Sequence, residues 1–252
     1  MKLSKTNKQK LLGLFLFGVF FYWSFPSQLF DAPYSTILND EEGNLLSAKI
    51  AKDGQWRFPD LDSVPQALAE CILHFEDEYF YAHPGVNPVS IGRAIEQNVR
   101  TGRTVSGGST ITMQVLRMSR HNPPRRYWEK VKEMYMAVRM EFTYSKTEIL
   151  NLYVSHAPYG GNVVGAEAAS WRYFNRPLTD LSWAEYATLA VLPNAPALLR
   201  PGKNSDKLRA KRDRLLKKLM VNEVIDSSTY SLSLLEDLPD KPNRLPANAF
   251  HV

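Results

Sequence analysis

After Pro65 the apolar residues of this chain recur at three- and four-residue spacing almost to its end, a pattern that helices bury by packing on one another. Val64, Leu68, Cys71, Ile72, Phe75 and Tyr79, behind Ser63 as N-cap, predict a buried amphipathic helix carrying Glu76 near its C-terminal end. His83, Pro84 and Gly85 are expected to stop it. Residues 93–99 and 110–120 continue the helical pattern, and the stretch 126–142 aligns Trp128, Val131, Tyr135, Val138 and Phe142 on one stripe, which reads as its buried face. Ser145 with Glu148, and Ser182 with Glu185, form capping boxes that start two more helices, the second running to Pro193. Residues 101–109, with Gly102, Gly107 and Gly108, read as a mobile loop. Only residues 34–51 read differently. Two short strand-like runs there flank a polar turn with Gly43 and predict a small hairpin, and residues 59–65 link it to the helices. The expected fold is mainly α, and 252 residues suffice for one sizeable core.

The N-terminus sets a second constraint. Lys2, Lys5, Lys8 and Lys10 precede the first acid, Asp31, and contribute to a net charge of +5. An apolar run over 11–25 follows and extends to about Phe30 if Pro26, Ser27 and Gln28 lie at an interface. No small-x-small cleavage site follows it and it is not amphipathic, so an uncleaved signal anchor over 11–30 is expected rather than a cleaved leader or a core helix. The lysines place the N-terminus in the cytoplasm and the rest of the chain outside the membrane. Cys71, the single cysteine, excludes an intrachain disulfide and reads as packing.

The densest chemistry lies at Glu76-Asp77-Glu78-Tyr79-Phe80-Tyr81-Ala82-His83-Pro84-Gly85. A carboxylate set among Phe75, Tyr79 and Phe80 is partly desolvated, which raises its pKa toward the range useful for proton transfer at neutral pH. Arg126, Lys130 and Glu133 share one helix face, either a surface ladder of ion pairs or a wall that binds phosphate. Gly107, Gly108, Ser109 and Thr110, followed by Gln114 and Arg117, offer hydroxyls and close backbone approach to a sugar or phosphate, a weak motif by itself. The helix over 207–220 carries Lys211, Arg212, Arg214, Lys217 and Lys218, which reads as a solvated face or one resting on anionic headgroups, and not as a nucleic-acid surface. His74, His83, His121, His156 and His251 give no ligand pair, so no metal site is expected, and His83 reads as a hydrogen-bonding residue beside its turn.

Four stretches then stand in order: E-D-x-x-F-x-x-H-x-G from Glu76 to Gly85, G-G-S-T-I-T-x-Q from Gly107 to Gln114, K-x-x-E from Lys130 to Glu133, and K-x-x-I-L-x-x-Y from Lys146 to Tyr153. In order and spacing the chain resembles the peptidoglycan glycosyltransferases, glycosyltransferase family 51, over roughly residues 34–220. Phe58-Pro59, the H-A-P-Y-G-G run from His156, the A-A-S-W run from Ala168 and the L-A-V-L-P-N-A-P run from Leu189 resemble the 1C subtype of the bifunctional penicillin-binding proteins. The resemblance implies a lysozyme-like helical domain on one N-terminal transmembrane helix. It also implies polymerisation of lipid II into β-1,4 glycan strands with inversion and release of undecaprenyl pyrophosphate. Glu76 is then the general base and Glu133 the second essential carboxylate. Lys130 and Arg117 face the pyrophosphate, Ser109, Thr110 and Gln114 hold the donor, and Gly107, Gly108, His83 and Arg126 complete the substrate-binding set. No tightly bound cofactor is implied; Mg2+ or Mn2+ would come with the pyrophosphate. The implied partners are lipid II, the growing strand, membrane lipid, and a separate transpeptidase or other cell-wall proteins, with no nucleic acid. The location is the bacterial plasma membrane, single-pass, with the catalytic domain on its periplasmic or extracellular side.

Glu129, Met113 and Ser155 depart from residues common in the family, where a cation, a glutamine and an asparagine are frequent. No Ser-x-x-Lys, Ser-x-Asn or Lys-Thr-Gly occurs, so no transpeptidase is expected in this chain. The division expected is a cytoplasmic tail at 1–10, the anchor at 11–30, hairpin and linker at 31–65, the glycosyltransferase domain at 66–225, and an extension at 226–252 resembling the linker toward a transpeptidase domain. A lysozyme-like hydrolase or lytic transglycosylase is the first alternative, against which the Lys130/Glu133 face speaks. An inactive lipid II-binding scaffold is the second, against which the intact Glu76 and glycine loop speak.

Overall fold

A computed structural model describes residues 5–26, 28–102, 108–124 and 126–246. The described elements follow the order α1 (Lys5–Trp23), β1 (Thr36–Asn39), β2 (Leu45–Lys49), β3 (Trp56–Arg57), α2 (Gln66–Glu76), α3 (Pro88–Thr101), α4 (Ile111–Ser119), α5 (Tyr127–Glu141), α6 (Lys146–His156), β4 (Pro158–Gly160), β5 (Val163–Val164), α7 (Ala166–Phe174), α8 (Trp183–Val191), α9 (Ser205–Val221) and α10 (Ser227–Leu235). The fold is mainly helical, as the periodicity implies. β1 and β2 form the expected antiparallel hairpin, with a register shift at Leu38/Asn39. A second sheet, absent from the sequence expectation, pairs β3 parallel to β5 and β4 antiparallel to β5. Its strands are two or three residues long, too short to leave a periodic trace.

α2 packs on α8 and α9, and α4 packs between α5 and α6. Leu68, Cys71 and Ile72 of α2, Ile111, Val115 and Leu116 of α4, and Leu208, Leu216 and Leu219 of α9 are all at most 1% exposed. Each such leucine or isoleucine contributes roughly 1.5–3 kcal/mol by leaving water. Burial pushes the Cys71 thiol far above its ordinary pKa, so it is inert packing. Both predicted capping boxes are formed, at Ser145/Glu148 and Ser182/Glu185. α2 instead begins after Pro65, without a side-chain cap, so Ser63 is not its N-cap. α2 also ends earlier than expected, at Glu76, and a single tight turn at Phe80–Ala82 precedes His83. The cause is Asp77, whose carboxylate accepts the Ile111 N–H at 3.0 Å and lies 3.0 and 3.1 Å from His83 Nε2, pulling the chain out of the helix.

α5 is turned over relative to the sequence expectation. Trp128, Val131 and Phe142 are exposed, whereas Glu133, Ala137, Arg139 and Met140 are buried. Part of the aromatic stripe is met by α1: Phe21 lies edge-on to Tyr135 and Phe142, with ring centroids 5.9 and 5.7 Å away. Arg139 donates to Phe21 O at 2.7 Å and to Tyr22 O at 3.1 Å, capping the end of α1. α1 stops at Trp23, ahead of Pro26, and so does not continue to Phe30. Its apolar part, from Leu11, is about 20 Å long at 1.5 Å per residue, against the roughly 30 Å of a bilayer core. No helix among the described residues is long and apolar enough to cross a membrane.

Candidate active site

Glu76 closes α2, and its carboxyl points at α4, where Gln114 Nε2 donates to Oε2 at 2.7 Å. Glu76 Oε1 is buried with no hydrogen-bond partner. Burial pushes this carboxyl above the ordinary carboxylate range; the Gln114 bond and the Lys211 ammonium pull it back, and Asp77 adds to the rise. The Tyr153 hydroxyl, on α6, is also buried without a partner. Its phenol is held well above its ordinary pKa by burial and then by the charge of Glu76. A carboxylate of raised pKa, with one oxygen oriented and the other unengaged, is suited to accept a proton from a bound hydroxyl.

The second cluster lies on another face of α4, since neighbouring residues on a helix point about 100° apart. Lys130 Nζ donates to Ser109 Oγ at 2.5 Å, lies 3.6 Å from Glu133 Oε2, and sits 4.0 Å from Met113 Sδ. Glu133 is only 5% exposed and Lys130 is partly exposed, so a buried carboxylate backs a cation that faces outward. Such an arrangement suits an anionic group placed against Lys130. Glu129, beside Lys130 in sequence, is turned elsewhere: it pairs with Arg120 at 2.5 Å and Lys132 at 3.1 Å, and these bonds hold its carboxyl below the ordinary range.

Thr110 and His83 serve the scaffold. The Thr110 hydroxyl donates to Gly85 O at 2.6 Å and accepts the Met113 N–H, capping α4. His83 is buried against Asp77, and its carbonyl accepts from Lys146 Nζ at 2.7 Å. Lys146 also bonds Glu141 at 2.9 Å and lies 4.4 Å from the Phe80 ring centre. Gly108 is required by packing, because a Cβ there would come within 2.8 Å of the Ile91 backbone on α3. Arg117 is partly exposed one turn beyond Gln114, and Arg126 is exposed at the start of α5. Gly107 lies outside the described residues. Ser155 Oγ accepts the Leu61 N–H at 3.1 Å, tying α6 to the linker.

Sequence reading passed over two residues at this site. Lys211, placed there on a solvated basic face, reaches toward Glu76 with Nζ 2.6 Å from Asn194 Oδ1 and 5.9 Å from the Phe75 ring centre. Asn194 follows α8 within the L-A-V-L-P-N-A-P run from Leu189, a run that by itself assigns it no contact. Lys211 and Lys218 at i and i+7 share a face, and that spacing was the available signal.

The sequence model of the transglycosylase family matches residues 42–220. Penicillin-binding protein 1C of Escherichia coli (strain K12) is 36% identical over 237 residues, covering 94% of this chain and 30% of that protein. Penicillin-binding protein 1B of Vibrio cholerae is 34% identical over 183 residues, covering 70% of this chain and 23% of that protein. Penicillin-binding protein 1A of Aquifex aeolicus is 31% identical over 235 residues, 92% of this chain and 31% of that protein. The chain thus spans less than a third of the length of each of these relatives. Its helical core, its ordered motifs and these matches together place the chain in the transglycosylase family, the peptidoglycan glycosyltransferases of family 51.

Proposed function

We propose that this enzyme polymerises lipid II, with Glu76 as general base. The 4-hydroxyl of an acceptor N-acetylglucosamine attacks C1 of the growing strand's N-acetylmuramic acid from the face opposite the leaving group. Its proton passes to Glu76 Oε1, the new C–O bond forms, and the C1–O bond to undecaprenyl pyrophosphate breaks with inversion. Lys130 and Arg117 neutralise the departing diphosphate, Ser109 and Gln114 orient donor and base, and Glu133 holds Lys130 in place. Thr110 and His83 support these groups from within the scaffold, and Arg126 borders the cationic side. The observation that carries this reading is the separation of two clusters on two faces of α4: a buried carboxyl of raised pKa at Gln114 and a cation at Met113.

Among the described residues no group of three or more histidine, cysteine, aspartate or glutamate side chains converges to hold a metal. Any Mg2+ or Mn2+ enters with the pyrophosphate of the substrate. The membrane assignment rests on α1. Its apolar end is clamped by Arg139, and exposed Tyr22, Trp23 and Phe142 form a nearby aromatic surface suited to the headgroup region. With that surface at the interface, α1 serves as the single-pass anchor in the bacterial plasma membrane, N-terminus cytoplasmic and catalytic domain outside. Its 19 residues rise about 28 Å, enough where lysine side chains reach up to the headgroups. Partners on this reading are lipid II, the growing strand, membrane lipid, and a transpeptidase or other cell-wall proteins.

The test is incubation of detergent-solubilised protein with labelled lipid II, with and without Mg2+, and separation of products by size. Glycan strands are expected from the parent, and Glu76→Gln is expected to lose at least about 10²-fold in rate, the usual contribution of a general base. Near-normal turnover by Glu76→Gln overturns the assignment. Shortening of preformed glycan without polymer points to a hydrolase, and lipid II binding without either activity points to a scaffold.

A further inference from the structure

α9 was read from sequence as a basic surface helix, yet one of its faces is directed at the C-terminal end of α2. Lys218 Nζ donates to His74 O and to Glu78 Oε2, both at 2.7 Å, and fixes α9 against the last turn of α2. Two turns earlier, Lys211 is held by Asn194 Oδ1 at 2.6 Å and lies by Phe75, the residue before Glu76. Glu76 Oε2 is already taken by Gln114, and Oε1 is buried with no hydrogen bond. We propose that Lys211, tethered by Asn194, is a positioning residue for Glu76, its ammonium keeping the carboxylate ionised and oriented toward the acceptor hydroxyl.

The other groups around Glu76 make Lys211 decisive. Just beyond α2, Asp77 opposes ionisation of Glu76. From α4 comes neutral Gln114, and from α6 the un-ionised Tyr153 phenol. On α8, Glu185 is bonded to Arg176 and the Tyr186 hydroxyl to Leu178 O, so neither of them meets the carboxylate. Among the described residues Lys211 brings a positive charge that favours ionised Glu76, and Glu76 in turn favours the charged form of Lys211, against its burial and the charge of Arg214. A cation here offsets burial without contacting the diphosphate, which faces Lys130 on the other face of α4 in the function proposed above.

The experiment is the pH profile of kcat/KM for lipid II polymerisation by the parent, Lys211→Met and Lys211→Arg, on which this inference and the base assignment of Glu76 are read separately. In the parent the rate is expected to rise with pH as Glu76 loses its proton. Lys211→Met is expected to move the midpoint of that rise upward by about one pH unit, the scale on which a nearby opposite charge shifts a carboxylate. At alkaline pH, where Glu76 ionises unaided, most of the rate returns. Lys211→Arg is expected to restore the parent midpoint. A uniform loss at every pH with an unmoved midpoint overturns the positioning role, and so does an unchanged profile in a variant that melts like the parent. If Lys211→Met fails to fold, Asn194→Ala, which frees the ammonium but keeps its charge, is the second variant; a midpoint unmoved there overturns the tether. Activity persisting in Glu76→Gln instead overturns the base assignment.

Discussion

Glu76 is a carboxyl that the fold makes costly to ionise, and that cost is measurable apart from activity. Its folded pKa lies above the unfolded value, mainly through burial. The ionised group therefore destabilises the native state at pH above the folded pKa, and the penalty is absent below the unfolded pKa of about 4.3. Glu76→Gln is expected to melt higher than the parent at pH 7 to 8, with the gain fading as the pH falls toward 4. Thermal melts across that range check it, and an equal gain at all pH values would place the effect in packing instead of charge. Lys130 belongs to the other cluster. Lys130→Ala is expected to weaken donor binding and slow turnover together, by roughly 10–100-fold, the worth of a charge-assisted bond of about 1.5–3 kcal/mol. Steady-state kinetics in which only acceptor affinity changes would contradict that role. The desolvation of Glu76 was readable from sequence because Phe75 and Phe80 lie close to it in the chain, although Tyr79, read with them, is exposed. Lys211 was not, because a lysine on a charged helix looks the same whether its face meets water or another helix.

At the scale of elements, α5 shows what periodicity conceals. Its aromatic stripe and its charged stripe both have helical spacing, and the structure buries Glu133, Ala137 and Met140 while leaving Trp128 outside. The inversion follows from what α5 packs on. α4 and the residues just before it bring Met113 and Ser109 to Lys130, and Gly85 packs against the α5 backbone. Gly85 marks that contact: its φ is +81°, and a Cβ there would lie 2.5 Å from Ala137 O. Gly85→Ala is expected to cost at least about 1–3 kcal/mol from backbone strain alone, read as a lowered denaturant midpoint. A midpoint within error of the parent would show that the segment can move away from α5. The capping boxes of α6 and α8 were legible because each is closed within four residues, whereas the early stop of α2 depends on Asp77 meeting Ile111, 34 positions away.

Across the whole molecule, Arg139 joins the N-terminal helix to the catalytic body. It is 7% exposed, bonds two carbonyls at the end of α1 and Thr143 on its own side, and lies over the Phe21, Tyr22 and Phe25 rings. Arg139→Met is expected to free α1 while leaving the helical body folded, so that limited proteolysis around residues 23–26 accelerates about tenfold or more, the equivalent of one lost charged hydrogen bond. Unchanged cleavage would mean that the aromatic contacts alone hold α1. The sequence by itself determined the helical class, the hairpin, the two capped helices and the family, since each is written in spacings of a few residues or in ordered motifs. Tertiary structure alone decided that Gln114 orients Glu76 across 38 positions, that Ser109 meets Lys130 across 21, that Glu129 is drawn away to Arg120, and that α9 faces the site. These are contacts between side chains remote along the chain, fixed by which helix faces meet when the apolar stripes are buried, and no local pattern encodes that choice.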